Sequence, residues 1–273
     1  MGKKSYTQTD LFMFAYVPDW YDKLAELADM AIQEPWKFKG TGYQTKNLST
    51  PILERYIREI FRMQATAYNA ATDQWEEQNA FHLSGRSACF HTGLFTRSYK
   101  PIYACFEPNR RMDSSLQWLF RGFADDNSPL LKYASPLPKN PLVFLPERQG
   151  FNPSWMIRVN LRHILEDSDN QQRIPSELRE LKFLPLLLET ATELGRRRAM
   201  MEPAIVVPQA FRGKVQYLLP ISLSDPDRVD LAMTLSIMEG YYHGETCLTP
   251  QMAYLNARIL GRPTVRWLAE LVE

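Results

Sequence analysis

The segment of the sequence best suited to chemistry runs from residue 86 to residue 111 and mixes cationic with aromatic side chains. It holds five basic residues against a single acid, Glu107. The residues in it that could contact phosphates or stack on bases are Arg86, Arg97, Tyr99, Tyr103, Arg110 and Arg111. Alternate residues of a strand share a face, so these side chains could form a basic, stacking surface for single-stranded RNA. The alternative is an ordinary amphipathic sheet with buried aromatic residues and solvated arginines.

The overall composition restricts this hypothesis to a local surface. The 273 residues are 45% hydrophobic and 23% charged, which is typical of a folded globular chain. A net charge of +1 excludes a nucleic-acid binder that is basic over its whole surface. Arginine nevertheless outnumbers lysine by 21 to 11, and guanidinium groups are preferred for bidentate contacts with phosphate.

Several other chemistries have no motif in the sequence. The glycines form neither a phosphate-binding P-loop nor a dinucleotide-binding pattern, so we expect no cofactor. Zinc-binding spacings are absent, and we expect no metal site. The three cysteines, Cys89, Cys105 and Cys247, are far apart, which favours reduced thiols in a cytoplasmic protein. Apolar runs are too short for a membrane helix.

The pattern of apolar residues predicts an α+β fold built on a mostly antiparallel sheet, with a helical N-terminal part and helices packed around the sheet. Helical periodicity covers much of residues 1–75, and short β-like runs begin near residue 81. We therefore expect a helical part over residues 1–75 and a sheet-containing body over residues 76–273. A single core shared by both parts is the alternative. Two antiparallel hairpins are predicted, over residues 205–223 and 231–247.

A glycine in a predicted strand and a proline-rich segment each have a physical interpretation. Gly93 interrupts a strand, where glycine permits a bulge or the close approach of another backbone or a ligand. Six prolines over residues 127–153 indicate an irregular connector rather than a strand, and we expect it to pack through Leu142, Val143 and Phe144.

Four groups of short phrases resemble one known family. They are FAYVPDW at 14–20, TGL at 92–94 with PIYA at 101–104, RVN at 158–160 with HIL at 163–165, and LTPQMAY at 248–254 with NAR at 256–258. Together they resemble the bacterial domain-of-unknown-function family 3825 over almost the whole chain. The family-like positions are Thr92, Gly93, Arg158, Asn160, His163, Asn256 and Arg258. The chain departs from the family pattern at His91, where relatives have asparagine.

The resemblance implies an association with RNA. Members of this family occur beside winged-helix RNA-binding modules and RNA-processing nucleases, which implies that they handle RNA or nucleotides. Asn256 and Arg258 are two residues apart on a predicted helix, so at most one of them is expected to face a common site.

Three hypotheses about function follow. The first is an RNA- or nucleotide-binding protein that uses the arginines and aromatic residues of the 86–111 segment. The second is an enzyme acting on a phosphodiester or nucleotide without a metal, with His163 as acid or base and Arg158 stabilising developing charge. The third is a protein-interaction or sensor module whose arginine-rich face binds an acidic partner.

Overall fold

The structure, a computed structural model, describes residues 7–40, 50–71, 77–111, 115–145, 150–211 and 214–273. It divides into two compact units, Met1–Leu145 with Glu273, and Pro146–Val272. Among the described residues each unit holds one five-stranded sheet, and most strand pairs are antiparallel. The predicted α+β class is confirmed, and the strands belong to two sheets.

The first unit combines three helices with the first sheet. Its elements are α1 (Leu11–Phe14), β1 (Ala15–Tyr16), α2 (Trp20–Met30), α3 (Pro51–Ala70), β2 (His82–Leu83), β3 (Ala88–Phe95), β4 (Pro101–Pro108) and β5 (Trp118–Asp125). The strand order is β1-β5-β4-β3-β2. β1 pairs with β5 in parallel, and the remaining pairs are antiparallel.

An aromatic core lies between α3 and one face of this sheet. Phe61 of α3 packs against Phe14, Phe81 and Phe90, with ring centroids 5.3 to 5.7 Å apart. Burial of such rings is a major stabilising contribution to a fold. The boundary suggested near residue 75 falls outside the described residues, and the helices before it share this core with the strands after it.

The opposite face of the first sheet is covered by the connector that follows β5. Cys89, Tyr103 and Cys105 of the sheet are buried with Leu131 and Ala134 of the connector.

The expectation that the connector packs through Leu142 and Val143 was wrong, because both are exposed. These residues belong to a 3-10 turn, Pro141–Phe144, whose buried residue is Pro141. The side chain of Phe144 lies outside what the structure describes.

The second unit surrounds the second sheet with helices. Its elements are β6 (Met156–Val159), α4 (Leu161–Glu166), α5 (Ser168–Arg173), α6 (Leu184–Met201), β7 (Val207–Phe211), β8 (Lys214–Ile221), β9 (Leu231–Ile237), β10 (Tyr241–Leu248), α7 (Pro250–Arg258) and α8 (Arg266–Ala269). The strand order is β6-β10-β9-β8-β7. Both predicted hairpins are present, and β6 joins β10 in parallel.

The two faces of the second sheet are covered differently. One face packs against α6, where an added Cβ at Gly195 would lie 2.9 Å from the carbonyl oxygen of Pro220. The other face is covered in part by α7, whose Asn256 hydrogen-bonds Gln209 of β7.

No helix in the described part of the chain has the length and apolar character needed to cross a bilayer.

Gly93 lies in an irregular part of β3. The register between β3 and β4 shifts between His91 and Phe95, and Gly93 adopts a φ of +78°. An added Cβ would lie 2.3 Å from the hydroxyl oxygen of Tyr56 on α3. Glycine is therefore required both by its backbone conformation and by the close approach of α3.

We predict that Gly93→Ala lowers the free energy of unfolding by roughly 2–4 kcal/mol, because it combines a strained φ with a steric clash. Gly240→Ala is the matched control, since Gly240 has a φ of +79° and its added Cβ would have open space. That variant should lose only about 1 kcal/mol. Chemical denaturation of each variant measures both losses.

A second comparison isolates the tyrosine hydroxyl. Tyr56→Phe removes the atom nearest to the added Cβ. The double variant Gly93→Ala/Tyr56→Phe should therefore be more stable than the sum of the two single losses predicts. Additive losses would show that this contact is not the source of the strain.

Candidate functional site

The cationic and aromatic residues of the 86–111 segment lie at two opposite ends of the first sheet. Arg86 precedes β3, and Arg110 and Arg111 follow β4, which runs antiparallel to β3. Arg97 and Tyr99 lie in the turn at the other end of β3. The eight residues of β3 separate the two ends by roughly 25 Å. The structure does not bring these residues to one surface.

Local aromatic contacts engage two of these arginines. The guanidinium of Arg86 lies 5.7 Å from the ring centroid of Tyr133, and that of Arg111 lies 4.7 Å from that of Tyr16. Tyr99 is 78% exposed, whereas Tyr103 is 5% exposed beneath the connector. Tyr103 therefore does not present its ring to solvent.

His91 and Thr92 serve the irregular part of β3. The Nδ1 atom of His91 accepts a hydrogen bond from the backbone N–H of Gly93 at 2.8 Å. Burial lowers the pKa of His91 to about 4, so its imidazole is neutral at pH 7. The hydroxyl of Thr92 donates to the carbonyl oxygen of Ile102 at 2.7 Å. These contacts give the family-like Thr92 and Gly93 a structural role.

A row of polar side chains crosses the second sheet on the face partly covered by α7. We call it the polar row, and its members in strand order are Gln209, Gln216, Ser236, His243 and Arg158. Gln209 pairs with Gln216, Ser236 with His243, and His243 with Arg158. The side-chain amide of Gln216 joins β8 to β9 by donating to Ser236 Oγ at 2.8 Å.

Hydrogen bonds run along this row in one direction. Asn256 Nδ2 donates to Gln209 Oε1 at 2.9 Å, and Gln209 Nε2 donates to Gln216 Oε1 at 3.0 Å. Gln216 Nε2 then donates to Ser236 Oγ and, at 3.2 Å, to Glu245 Oε2. An ionised carboxylate only accepts hydrogen bonds, so Glu245 fixes the orientation of the amides in this chain.

Beside the polar row, on the same face, lies a second row of four apolar or aromatic side chains and one lysine, all exposed or partly exposed. We call it the outer row, and its members are Phe211, Lys214, Met238, Tyr241 and Met156. The two rows are two residues apart along each strand, or roughly 7 Å. Met156, Phe211 and Met238 are 57%, 43% and 41% exposed. This part of the sheet face is open to solvent.

Arg158 is the cation at the open edge of the polar row. Its guanidinium lies 4.2 Å from the ring centroid of Tyr241, and its side chain is exposed. Within the described residues the guanidinium makes no hydrogen bond or ion pair. A guanidinium held over an aromatic ring with its N–H donors unused is suited to bind a phosphate.

The remaining family-like residues have different positions. Asn160 caps α4 by accepting a hydrogen bond from the backbone N–H of His163 at 3.2 Å. The imidazole of His163 is exposed, and among the described contacts none joins it to Arg158. Arg258 is 6% exposed on α7, whereas Asn256 begins the hydrogen-bond chain.

A groove of about 1220 Å³ in the second unit differs from this face, because each arginine of its described lining already has a hydrogen-bond or ion-pair partner. It is lined by residues of the α6 end, of the 226–229 loop and of α8. Arg228 and Arg266 in it are paired with Asp230 at 2.9 Å and Glu270 at 2.8 Å.

Among the residues that the structure describes, no group of three or more His, Cys, Asp or Glu is placed to hold a metal ion.

The residues of the site that sequence reasoning missed are His243, Glu245, Tyr241 and the two glutamines. Their signal was the alternation of polar residues at 241, 243 and 245 in a predicted strand. Only the register of five strands shows that these positions face Arg158 and Gln216.

The fold and this face define an α+β protein with a solvent-exposed, cation-bearing sheet surface. The family described as a domain of unknown function, DUF3825, matches residues 27–267, and the chain belongs to that family. Searches of curated proteins and of solved structures give no match.

We predict a pH dependence of stability that comes from His91. Its pKa is about 4 in the folded state against an ordinary value of 6.5, so the unfolded chain binds the proton first as the pH falls. The stability contributed by the neutral imidazole is complete above pH 6.5 and is lost as the pH falls towards 4. The loss has a slope of at most about 1.4 kcal/mol per pH unit.

Denaturation at several pH values measures this slope. His91→Gln should give a flatter dependence between pH 6.5 and 4 than the natural chain. His163→Gln, the same substitution at an exposed histidine of the second unit, is the comparison variant. Equal slopes for His91→Gln and the natural chain would contradict the assignment.

Proposed function

We propose that the protein binds RNA or a nucleotide on the open face of the second sheet. The observation that carries the proposal is Arg158, whose guanidinium lies over the ring of Tyr241 with its hydrogen-bond donors unused among the described residues. A phosphate is the ligand that best matches a fork of N–H donors, and RNA and nucleotides both supply one.

The outer row supports binding of a base beside the phosphate. Tyr241 and Phe211 place aromatic rings on the same face as Arg158, and Lys214 adds a second cation. Aromatic rings on an open sheet, interleaved with cations, are the means by which many proteins bind single-stranded nucleic acid. The context implied by the family resemblance agrees with this ligand class.

The second sheet offers this surface better than the first. The first sheet is covered on one face by α3 and on the other by its connector, and its arginines lie at opposite ends. We therefore propose the same ligand class as for the 86–111 segment, RNA or a nucleotide, but with the polar row and the outer row as the surface that binds it.

We predict that Arg158→Ala weakens binding of a fluorescent 2′-O-methyl RNA pool of random sequence by about ten- to hundredfold. The 2′-O-methyl group protects the probe from cleavage at its own 2′ oxygen. The slope of log affinity against log salt should also fall by about 0.7, because one phosphate contact is lost. Fluorescence anisotropy over a salt series measures both quantities.

Arg97→Ala is the matched comparison, because Arg97 is an exposed arginine of the first unit. It should bind the RNA pool as the natural chain does. Loss of binding in Arg97→Ala, with Arg158→Ala unaffected, would place binding on the first sheet. Calorimetry with nucleoside mono-, di- and triphosphates separates a nucleotide ligand from RNA. Absence of binding to every probe at low salt would overturn the proposal.

A further inference from the structure

We infer that the open face of the second sheet cleaves single-stranded RNA, with Glu245 as general base, His243 as general acid and Arg158 stabilising the transition state. This inference rests on the proposed function, because the RNA must first bind to this face. It adds a reaction, and it assigns roles to two residues that sequence reasoning did not single out.

Hydrogen bonding and strand register together place Glu245 and His243 on one face of the sheet. The amide of Gln216 donates both to Ser236 Oγ at 2.8 Å and to Glu245 Oε2 at 3.2 Å. Ser236 pairs with His243 across β9 and β10. His243 and Glu245 are two residues apart in β10, so alternation places them on the same side of the sheet, and the bond from Gln216 shows that Glu245 lies on that side.

Arg158 completes the group from the neighbouring strand. It pairs with His243 in the parallel β6–β10 ladder, where neighbouring strands are roughly 4.8 Å apart. Its guanidinium is restrained by the Tyr241 ring. One face thus carries a carboxylate, an imidazole and a guanidinium, a set of groups able to perform acid–base cleavage of a phosphodiester.

The hydrogen-bond chain has a function in this arrangement. It engages Glu245 Oε2, and among the described residues the Oε1 atom has no hydrogen bond. Oε1 is therefore available to accept a proton from substrate. Gln216 acts as a positioning residue, since it restrains the carboxylate without contacting the reacting atoms.

The reaction is an internal transfer of the phosphoryl group. Glu245 accepts the proton of the ribose 2′-hydroxyl, and the 2′ oxygen forms a bond to the adjacent phosphorus. The bond from phosphorus to the 5′ oxygen breaks, and protonated His243 donates its proton to that oxygen. Arg158 binds the non-bridging oxygens as their negative charge increases. The products are a 2′,3′-cyclic phosphate and a 5′-hydroxyl, and the two proton transfers balance.

The test uses a 5′-labelled, random-sequence single-stranded RNA with EDTA present. We expect the intact chain to cut this RNA and to leave 2′,3′-cyclic phosphate ends, which mass spectrometry identifies. DNA and 2′-O-methyl RNA of the same sequences should remain intact, because they lack a free 2′-hydroxyl.

Variants of the two acid–base residues give the decisive comparison. His243→Gln and Glu245→Gln should each lower the cleavage rate by about 10²- to 10⁴-fold. Each should bind 2′-O-methyl RNA within a few fold of the natural chain. Glu239→Gln, in the exposed turn before β10, is the matched control and should retain full activity. His163→Gln should also retain activity, whereas its loss would assign the acid or base to α4.

Gln216→Leu tests the positioning role. It should lower the cleavage rate with little change in binding, and Gln216→Glu should not restore the rate, because a second carboxylate cannot donate to Glu245. Thermal unfolding of each variant shows whether it folds. Equal rates in Gln216→Leu and the natural chain would contradict the positioning role.

The outcomes separate this inference from the proposed function. RNA that stays intact while 2′-O-methyl RNA binds would overturn the inference and leave the proposed function standing. Absence of both cleavage and binding would overturn both. Cleavage that requires Mg²⁺, leaves other ends, or persists in His243→Gln would also overturn the assignment.

Discussion

The hydrogen-bond chain from Asn256 to Glu245 is the interaction on which the open face of the second sheet depends. Gln209 and Gln216 are 1% and 7% exposed, and a buried amide without partners would destabilise the fold. Each amide in the chain instead donates to the next group, and the carboxylate of Glu245 accepts the last bond. The sheet can therefore carry polar side chains beneath α7 and continue the same row to the exposed edge.

The two sheets differ in how much of each face is covered by other elements, and this difference determines which face is open to a ligand. Both faces of the first sheet are packed, one against α3 and the other against the connector. One face of the second sheet packs against α6 and α4, whereas on the other face α7 leaves the β10 and β6 edge exposed. Aromatic and cationic residues are common to both sheets. On the second sheet, Arg158 and the partly exposed Tyr241 lie on one face with His243 and Glu245.

The candidate site was partly predictable from sequence. Arg158, Asn160 and Asn256 were identified through the family resemblance, and the structure places Arg158 at the open end of the polar row and Asn256 beside Gln209 at its other end. His243 and Glu245 were missed, because a histidine and a glutamate two apart in a strand are common and carry no motif. Their relation to Arg158 exists only once β6 pairs with β10, and no local pattern predicts a parallel pairing between distant segments.

The elements controlled by local interactions follow from the order of residues along the chain. Apolar periodicity predicted the helices, alternation predicted the hairpins, and Gly93 predicted the irregularity in β3. The group that approaches Gly93 is a side-chain hydroxyl, that of Tyr56, rather than the backbone or ligand expected. Three features could be seen only in the folded structure. The strands form two sheets, the connector covers the first sheet, and five strands align their polar residues in one row. Helices and hairpins depend on neighbours along the chain, whereas sheet partners and covered faces depend on contacts between residues far apart in sequence.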